Sequence, residues 1–143
     1  MKIHKLIMAF ILLDTAIQLF LRDKNYLSAI TLAGAAEEIL GVYAKNLNEE
    51  TAYSILTTGL TDDFKGKFTK KEVGEKYINF HRNELKHFNF PEHEEIEIDP
   101  KFEAISMITR AAINLTSLKI TTENIKEFNV WLQQNKPELL SYN

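Results

Sequence analysis

Three side chains with the chemistry needed to act on a phosphodiester lie within the segment RNELKH, residues 82–87. On a helix, Asn83 and His87 lie on the same face, and Arg82 points about 100° to one side. An arginine can hold a phosphate through two parallel hydrogen bonds, and a histidine can transfer protons near neutral pH. RNA supplies its own nucleophile, the ribose 2′-hydroxyl, so this set predicts RNA cleavage without a metal or other cofactor.

The charge distribution favours a local binding surface over general attraction to nucleic acid, because the formal net charge is −3. Residues 65–87 carry seven lysines and arginines against three glutamates, whereas residues 92–103 carry six acids against one lysine. We expect Lys70, Lys71 and Lys86 to contact RNA phosphates. Two solvated faces without a function would explain the same segregation of charge.

The composition is that of one globular domain spanning residues 1–143, with 45% hydrophobic residues and no cysteine. The lack of cysteine excludes disulfides and thiolate chemistry and suggests a cytoplasmic protein. The apolar run from Leu6 to Leu13 resembles a secretion signal, but Asp14 interrupts it well before membrane-spanning length. We therefore expect a buried first helix and no membrane association.

Periodicity and capping signals predict an all-α, single-domain bundle of five to six helices with almost no strand. The acidic stretch from Glu92 to Ile98 suggests an extended connector or a marginal strand. The first three predicted helices cover residues 3–21, 26–46 and 48–58. A fourth begins at the Thr69/Glu72 capping box and continues to Asn89, and a fifth begins at Asp99-Pro100. The last covers residues 122–134, and Pro137 is expected to end it.

Apolar faces are predicted for the first and the last two helices. Helix one carries two stripes and is expected to be covered on more than one side, so Asp14 needs a polar partner or contact with water. The stripes of helix one are Ile3, Ile7, Phe10, Ile17 and Leu21, and Leu6, Leu13, Ala16 and Phe20. The later faces are Ile105, Ile108, Ala112 and Leu115, and Ile125, Phe128 and Leu132.

The motif resembles that of the HEPN superfamily, the higher eukaryote and prokaryote nucleotide-binding domains. Its hallmark is an arginine, a residue that is usually polar, three to five further positions and a histidine, which Arg82, Asn83 and His87 match. The small-residue helix at residues 26–41 is similar to the paired helix of bacterial abortive-infection and toxin members. The resemblance extends over residues 6–118.

The resemblance implies a ribonuclease of the phage-defence or toxin-antitoxin type. In such proteins two subunits pair so that both motifs line one cleft, and many members cleave RNA without a metal. By that resemblance His87 would transfer protons, Arg82 would clamp the phosphate and the transition state, and Asn83 would orient them. RNA, a second copy of the chain and an antitoxin or defence-system protein are the implied partners.

Family members often bring an acidic or polar side chain from the earlier helix to the motif, which makes Glu37 or Glu38 a candidate supporting residue. Glu37 shares a helix face with Gly34 and Gly41 and is the better candidate, although either glutamate could equally be solvated. Asn89 departs from members silenced by nucleotidyl transfer, which carry a tyrosine at this position. Regulation by that route is therefore doubtful.

Two other hypotheses remain open. The chain could be a non-catalytic module that binds a nucleotide, RNA or a protein in a defence assembly, or a structural adaptor in which the motif faces solvent. Other polar and aromatic clusters are weaker candidates for a functional site. Glu92 to Glu95 are typical of a solvated loop, and His4 and His81 have no visible partners in the sequence. Phe128, Trp131 and Tyr142 are expected to pack in the protein interior.

Overall fold

The computed structural model describes residues 1–87, 92 and 94–140, with side chains to residue 136. Asn89, His93 and Tyr142, which fall within the sequence predictions, lie outside the described residues. The described part contains helices and no strand, which confirms the all-α, single-domain prediction. The seven helices are α1 (Lys5–Gln18), α2 (Tyr26–Asn46), α3 (Ala52–Asp63), α4 (Lys70–Val73), α5 (Phe80–Lys86), α6 (Pro100–Ser117) and α7 (Glu123–Leu140).

The core lies between α2 and α6, with α1 and α7 packed around them. Small residues on α2 are fully buried and allow α6 to approach closely. The predicted inward faces of α6 and α7 are confirmed, and Trp131 packs edge-on against Phe20 with ring centroids 4.8 Å apart. The buried residues of these two faces are Ile105, Ile108, Ala112, Leu115, Ile125 and Phe128.

Helix α1 buries one of its two predicted stripes more completely than the other. Leu13, Ala16 and Phe20 of the second stripe are buried. On the first stripe Ile17 is also buried, but Ile3 is 42% exposed and Ile7 is 52% exposed. Asp14 has the expected polar partner, because the Thr122 hydroxyl donates to its Oδ1 at 3.0 Å. One side of α1 therefore stays uncovered within a single copy of the chain.

Two predicted helix ends are wrong. Helix α3 begins after Thr51, whose side chain accepts the Ser54 N–H, and it continues through the exposed Gly59 to Asp63. A glycine lowers helix propensity without ending a helix. The turn follows at residues 64–66, where Lys65 and Gly66 have positive φ angles of 52° and 73°. Helix α7 runs past Pro137 to Leu140, because a proline removes one N–H from the ladder and need not end it.

The helix predicted from Thr69 onward starts as expected but is broken. Both capping-box bonds form, with the Glu72 N–H donating to Thr69 Oγ1 and the Thr69 N–H donating to Glu72 Oε2. The bond from the Thr69 backbone lowers the pKa of Glu72, so the carboxylate persists at neutral pH, and this contribution to stability is lost as the pH falls. After α4 the chain widens into a π-helical turn, Gly74–Ile78.

Asn79 interrupts the helix with φ −105° and ψ 1°, and α5 starts anew at Phe80. At the start of the π-helical turn Tyr53 approaches Gly74 so closely that a Cβ there would collide with the Tyr53 hydroxyl, which requires glycine at this position. The break makes α5 a separate seven-residue helix. It also raises the helix number above the five or six predicted.

Helix α2 was predicted with the bounds that the structure has. By length and composition it could cross a membrane, which is weak evidence because a core helix passes the same test. In this fold it is the central helix of the core. Residues 95–99 are neither helix nor strand, and Asp99 then caps α6 by accepting the Phe102 N–H.

Candidate functional site

The centre of the candidate site is the carboxylate of Glu37, which lies on α2 and is 4% exposed. Arg82 on α5 donates to its Oε2 through Nη1 at 3.2 Å. Arg110 on α6 donates to its Oε1 through Nη2 at 2.9 Å. One buried carboxylate thus separates two guanidinium groups, which compensates part of the cost of burying each charge.

Arg110 connects this centre to the break before α5. Its Nη1 donates to the carbonyl of Ile78 at 3.0 Å, and its Nη2 also donates to Asn79 Oδ1 at 2.9 Å. The side chain is 3% exposed, so these bonds form away from water. Arg110 therefore holds both Glu37 and the residues from which α5 starts.

Asn114, one turn after Arg110, fixes the backbone around the same centre. Its Nδ2 donates to the Glu37 carbonyl at 3.0 Å, and its Oδ1 accepts the Ala52 N–H at 2.8 Å. Gly41 leaves room for this amide, because a Cβ there would lie 3.2 Å from Nδ2. The bonds join α2, α3 and α6.

Sequence reasoning missed Arg110 and Asn114, although a signal was present. They lie four residues apart on α6, on the side that also carries the buried Met107 and Ala111. Buried polar side chains need partners, so two of them on an otherwise apolar face indicate a polar network. On α2 this network includes Glu37, which bonds to both Arg110 and Asn114, and Gly41, which lies against the Asn114 amide.

Arg82 packs across α2 at Gly34, and its side chain is 13% exposed. A Cβ at Gly34 would lie 2.9 Å from Arg82 Cδ and 3.1 Å from its Cγ. The guanidinium is anchored on Glu37, so the aliphatic part cannot move away freely. Burial of Arg82 also disagrees with an adaptor whose motif faces solvent.

We expect Gly34→Ala to lower the free energy of unfolding by about 1–3 kcal/mol, as overpacking of a filled contact does. The matched control is Gly59→Ala, because nothing lies within 4 Å of a Cβ on that exposed helical position. Alanine there should stabilise by about 0.5–1 kcal/mol through helix propensity alone. Urea denaturation of both variants measures the difference, and a stabilised Gly34→Ala protein would contradict this packing.

His87 lies just past α5, which ends at Lys86. Its backbone is extended, with φ −126° and ψ 139°, and its N–H still donates to the Asn83 carbonyl at 2.9 Å. The His87 side chain is exposed and Asn83 is partly buried. Among the described residues no hydrogen bond joins the His87 side chain to Arg82, whose ionic partner is Glu37.

The other predicted site residues, Glu38, Lys86, Lys70 and Lys71, are exposed. Glu38 is exposed on α2 and pairs with Lys86 Nζ at 3.5 Å. Lys70 and Lys71 are exposed on the short α4, where Lys71 lies 3.9 Å from a carboxylate oxygen of Glu75. Of the two candidate glutamates, only Glu37 contacts Arg82.

The Glu37 centre opens into a cleft of about 280 Å³, which includes Lys45 and Tyr53 in its walls along with both arginines. Arg82 Nε and Arg110 Nε are buried and have no hydrogen-bond partner among the residues that the structure describes. Buried N–H groups of this kind are unfavourable unless a ligand or water satisfies them. Because Arg82, Arg110 and Lys45 line its walls, the cleft has cationic groups that could hold an anion such as a phosphate.

His81 and His4 have partners, which their sequence surroundings did not indicate. The His81 Nδ1 lies 2.9 Å from Glu103 Oε1, and its Nε2 lies 3.0 Å from the Glu97 carbonyl. These contacts hold α5 against α6 and the connector before it. His4 caps α1, because its Nδ1 accepts the Leu6 N–H at 3.2 Å.

No group of three or more metal-ligating side chains converges within the described ranges. Comparisons with protein-family models, curated proteins and solved structures gave no match to this chain.

Proposed function

We propose that this chain is a cytoplasmic, metal-independent endoribonuclease of the phage-defence or toxin type, related to the HEPN superfamily. Its site would be composite, formed where two copies bring together Arg82 and His87. The observation that carries the proposal is the anchoring of Arg82 by a buried carboxylate at the wall of an anion-sized cleft, five residues before an exposed histidine.

The roles follow from the chemistry of the side chains. The Arg82 guanidinium would bind the scissile phosphate and stabilise the charge that develops on its oxygens. Glu37 and Arg110 would position that guanidinium, while Asn83 would orient the end of α5. Lys86, with Lys70 and Lys71, would neutralise neighbouring phosphates.

Cleavage needs two proton transfers, which favours two copies of His87. One imidazole removes the proton from the ribose 2′-hydroxyl as O2′ bonds to phosphorus. The bond from phosphorus to O5′ breaks, and the second imidazole donates a proton to O5′. The products are a 2′,3′-cyclic phosphate and a 5′-hydroxyl. His81 is held by Glu103 and the Glu97 carbonyl, which makes it unsuited to the second role.

A surface suited to the second copy lies beside the cleft. The groove between α1 and α2 has a volume of about 480 Å³ and shares Glu38 and Val42 with the cleft. Val42 is 58% exposed, and Ile7 on the uncovered side of α1 is 52% exposed. A partner packed on these apolar side chains would lie next to the Arg82 cleft.

The test compares an RNA oligomer with the same sequence made entirely of 2′-deoxynucleotides, each with and without EDTA. We expect EDTA-insensitive cleavage of the RNA alone, with 2′,3′-cyclic phosphate ends in the products. The DNA oligomer controls for the nucleophile, because it lacks only the 2′-hydroxyl. Cleavage of that DNA, or RNA products ending in a 5′-phosphate, would contradict the mechanism.

One observation favours the alternative of a non-catalytic binding module. Arg82 already has an ionic partner in Glu37 and is largely buried, as in a site that only holds a phosphate. Such a module would bind RNA or a nucleotide and yield no cleavage product under any condition of the same assay.

A further inference from the structure

A satellite aromatic cluster lies away from the main core, at the junction of α3, α4 and the π-helical turn. The rings of Phe64 and Phe68 have centroids 5.2 Å apart, and Tyr77 lies 5.0 Å from Phe64 and 5.9 Å from Phe68. Of the residues described, none of these three belongs to the main core or packs against it. Their rings therefore pack mainly on one another.

This cluster keeps an aromatic surface in contact with water. Tyr77 is 49% exposed, and Phe64 and Phe68 are only partly buried. An aromatic ring exposed to this degree can accept a second ring on its face, which contributes stacking energy beyond area burial.

Two lysines place positive charge at the same rings. Lys67 Nζ lies 5.8 Å from the Phe68 centroid, and Lys76 Nζ lies 5.6 Å from it. Both lysines are exposed, and neither forms an ion pair with a carboxylate in the part of the chain that the structure describes. We call Phe64, Phe68, Tyr77, Lys67 and Lys76 the basic-aromatic platform.

The acidic residues nearest in sequence leave this charge available. Glu72 is held by both capping bonds to Thr69, and Glu75 pairs with Lys71. Asp62 and Asp63 end α3 and are exposed. The charge of Lys76 helps to lower the pKa of Glu72, but within the described ranges neither Lys67 nor Lys76 forms an ion pair, so both can still bind an external anion.

We propose that the basic-aromatic platform binds single-stranded RNA, with a base stacked on Tyr77 and backbone phosphates beside Lys67 and Lys76. Exposed aromatic rings next to lysines recognise unpaired bases, whereas a duplex hides the faces of its bases. The choice of RNA over DNA rests on the proposed function. Recognition by the platform itself needs only an unpaired base and its phosphates.

The platform is mechanically connected to the candidate site. Tyr77 belongs to the turn that leads into α5, and the next residue, Ile78, accepts a hydrogen bond from Arg110. Arg110 also holds Glu37, which positions Arg82. The platform and the cleft are thus adjacent along the chain, because Asn79, two residues after Tyr77, lines the cleft.

The test uses fluorescence anisotropy with a labelled, unstructured oligoadenylate whose riboses carry 2′-O-methyl groups, so that it binds without being cleaved. Tyr77→Leu should weaken binding roughly 5- to 100-fold, the effect of removing one base stack. Tyr77→Phe keeps the ring and should bind like the parent. Phe102→Leu, which removes a 57% exposed ring from α6, is the matched control and should also bind like the parent.

A double Lys67→Gln, Lys76→Gln variant gives a second readout that does not depend on the packing of Tyr77. The slope of log K against log salt should become shallower by about 1.4, because each phosphate of a single strand that a lysine neutralises contributes about 0.7. Thermal unfolding by circular dichroism checks that each variant is folded.

Parent-like binding by a folded Tyr77→Leu protein, an unchanged salt slope, equal competition by a duplex, or no binding by the parent would each overturn the platform. The two proposals can fail separately. If Tyr77→Leu weakens oligomer binding but the parent never cleaves RNA, the platform is supported and the nuclease is rejected. If the parent cleaves RNA and Tyr77→Leu binds the oligomer like the parent, the nuclease is supported and the platform is rejected.

Discussion

Glu37→Ala is expected to lower the free energy of unfolding by about 3–5 kcal/mol, the effect of breaking a buried ion pair from one side. The substitution would leave the Arg82 and Arg110 guanidinium groups facing each other without the carboxylate between them. Arg110 is 3% exposed as a side chain, so water cannot replace the missing carboxylate without rearrangement. Urea denaturation followed by circular dichroism measures the loss of stability.

The neighbouring residue is the control for Glu37→Ala. Glu38 is also a glutamate on α2 and also has an ionic partner, Lys86, but its side chain is 61% exposed. Glu38→Ala should change the free energy of unfolding by no more than about 1 kcal/mol, as exposed ion pairs do. Equal effects of the two substitutions would show that the Glu37 network does not support the fold.

His87→Ala is expected to reduce the rate of RNA cleavage about 10²- to 10⁴-fold, the usual contribution of general acid–base catalysis. The side chain is exposed and lies past the end of α5, so its removal should leave the unfolding curve unchanged. The rate is measured in single-turnover assays on an RNA oligomer. This separation of activity from stability is what a catalytic role predicts and a packing role does not.

Asn129→Ala is the control, because Asn129 is an exposed polar residue on α7, which carries no part of the candidate site. It should cleave at the parental rate. Parental activity of a folded His87→Ala protein would reject the acid–base role and leave phosphate binding as the function of the motif.

Local signals in the sequence predicted much of the helix framework. The bounds of α2, the capping box at Thr69 and the start of α6 after Asp99 all depend on residues within one helical turn. Hydrophobic spacing likewise predicted the buried faces of α6 and α7. Each of these features is set by hydrogen bonds or side-chain directions that repeat every three to four residues.

The break at Asn79 could not be predicted in this way. It depends on Arg110, whose hydrogen bonds reach Ile78 and Asn79 from 32 and 31 residues away. The sequence after Thr69 has no proline before residue 91, so its local pattern favours a continuous helix. A long-range contact outweighs that preference.

In the segment 82–87, too, some features follow from the local sequence and others depend on long-range contacts. Sequence alone determined an all-α chain, a motif at a helix C-terminus, and the preference for Glu37 over Glu38 from its face on α2. Only the tertiary structure decided that Arg82 is buried on Glu37, 45 residues away, that Arg110 shares that carboxylate from 73 residues away, and that His87 stays in solvent. The physical reason is that local spacing sets the direction of a side chain, whereas its burial and charge pairing depend on which helix packs opposite.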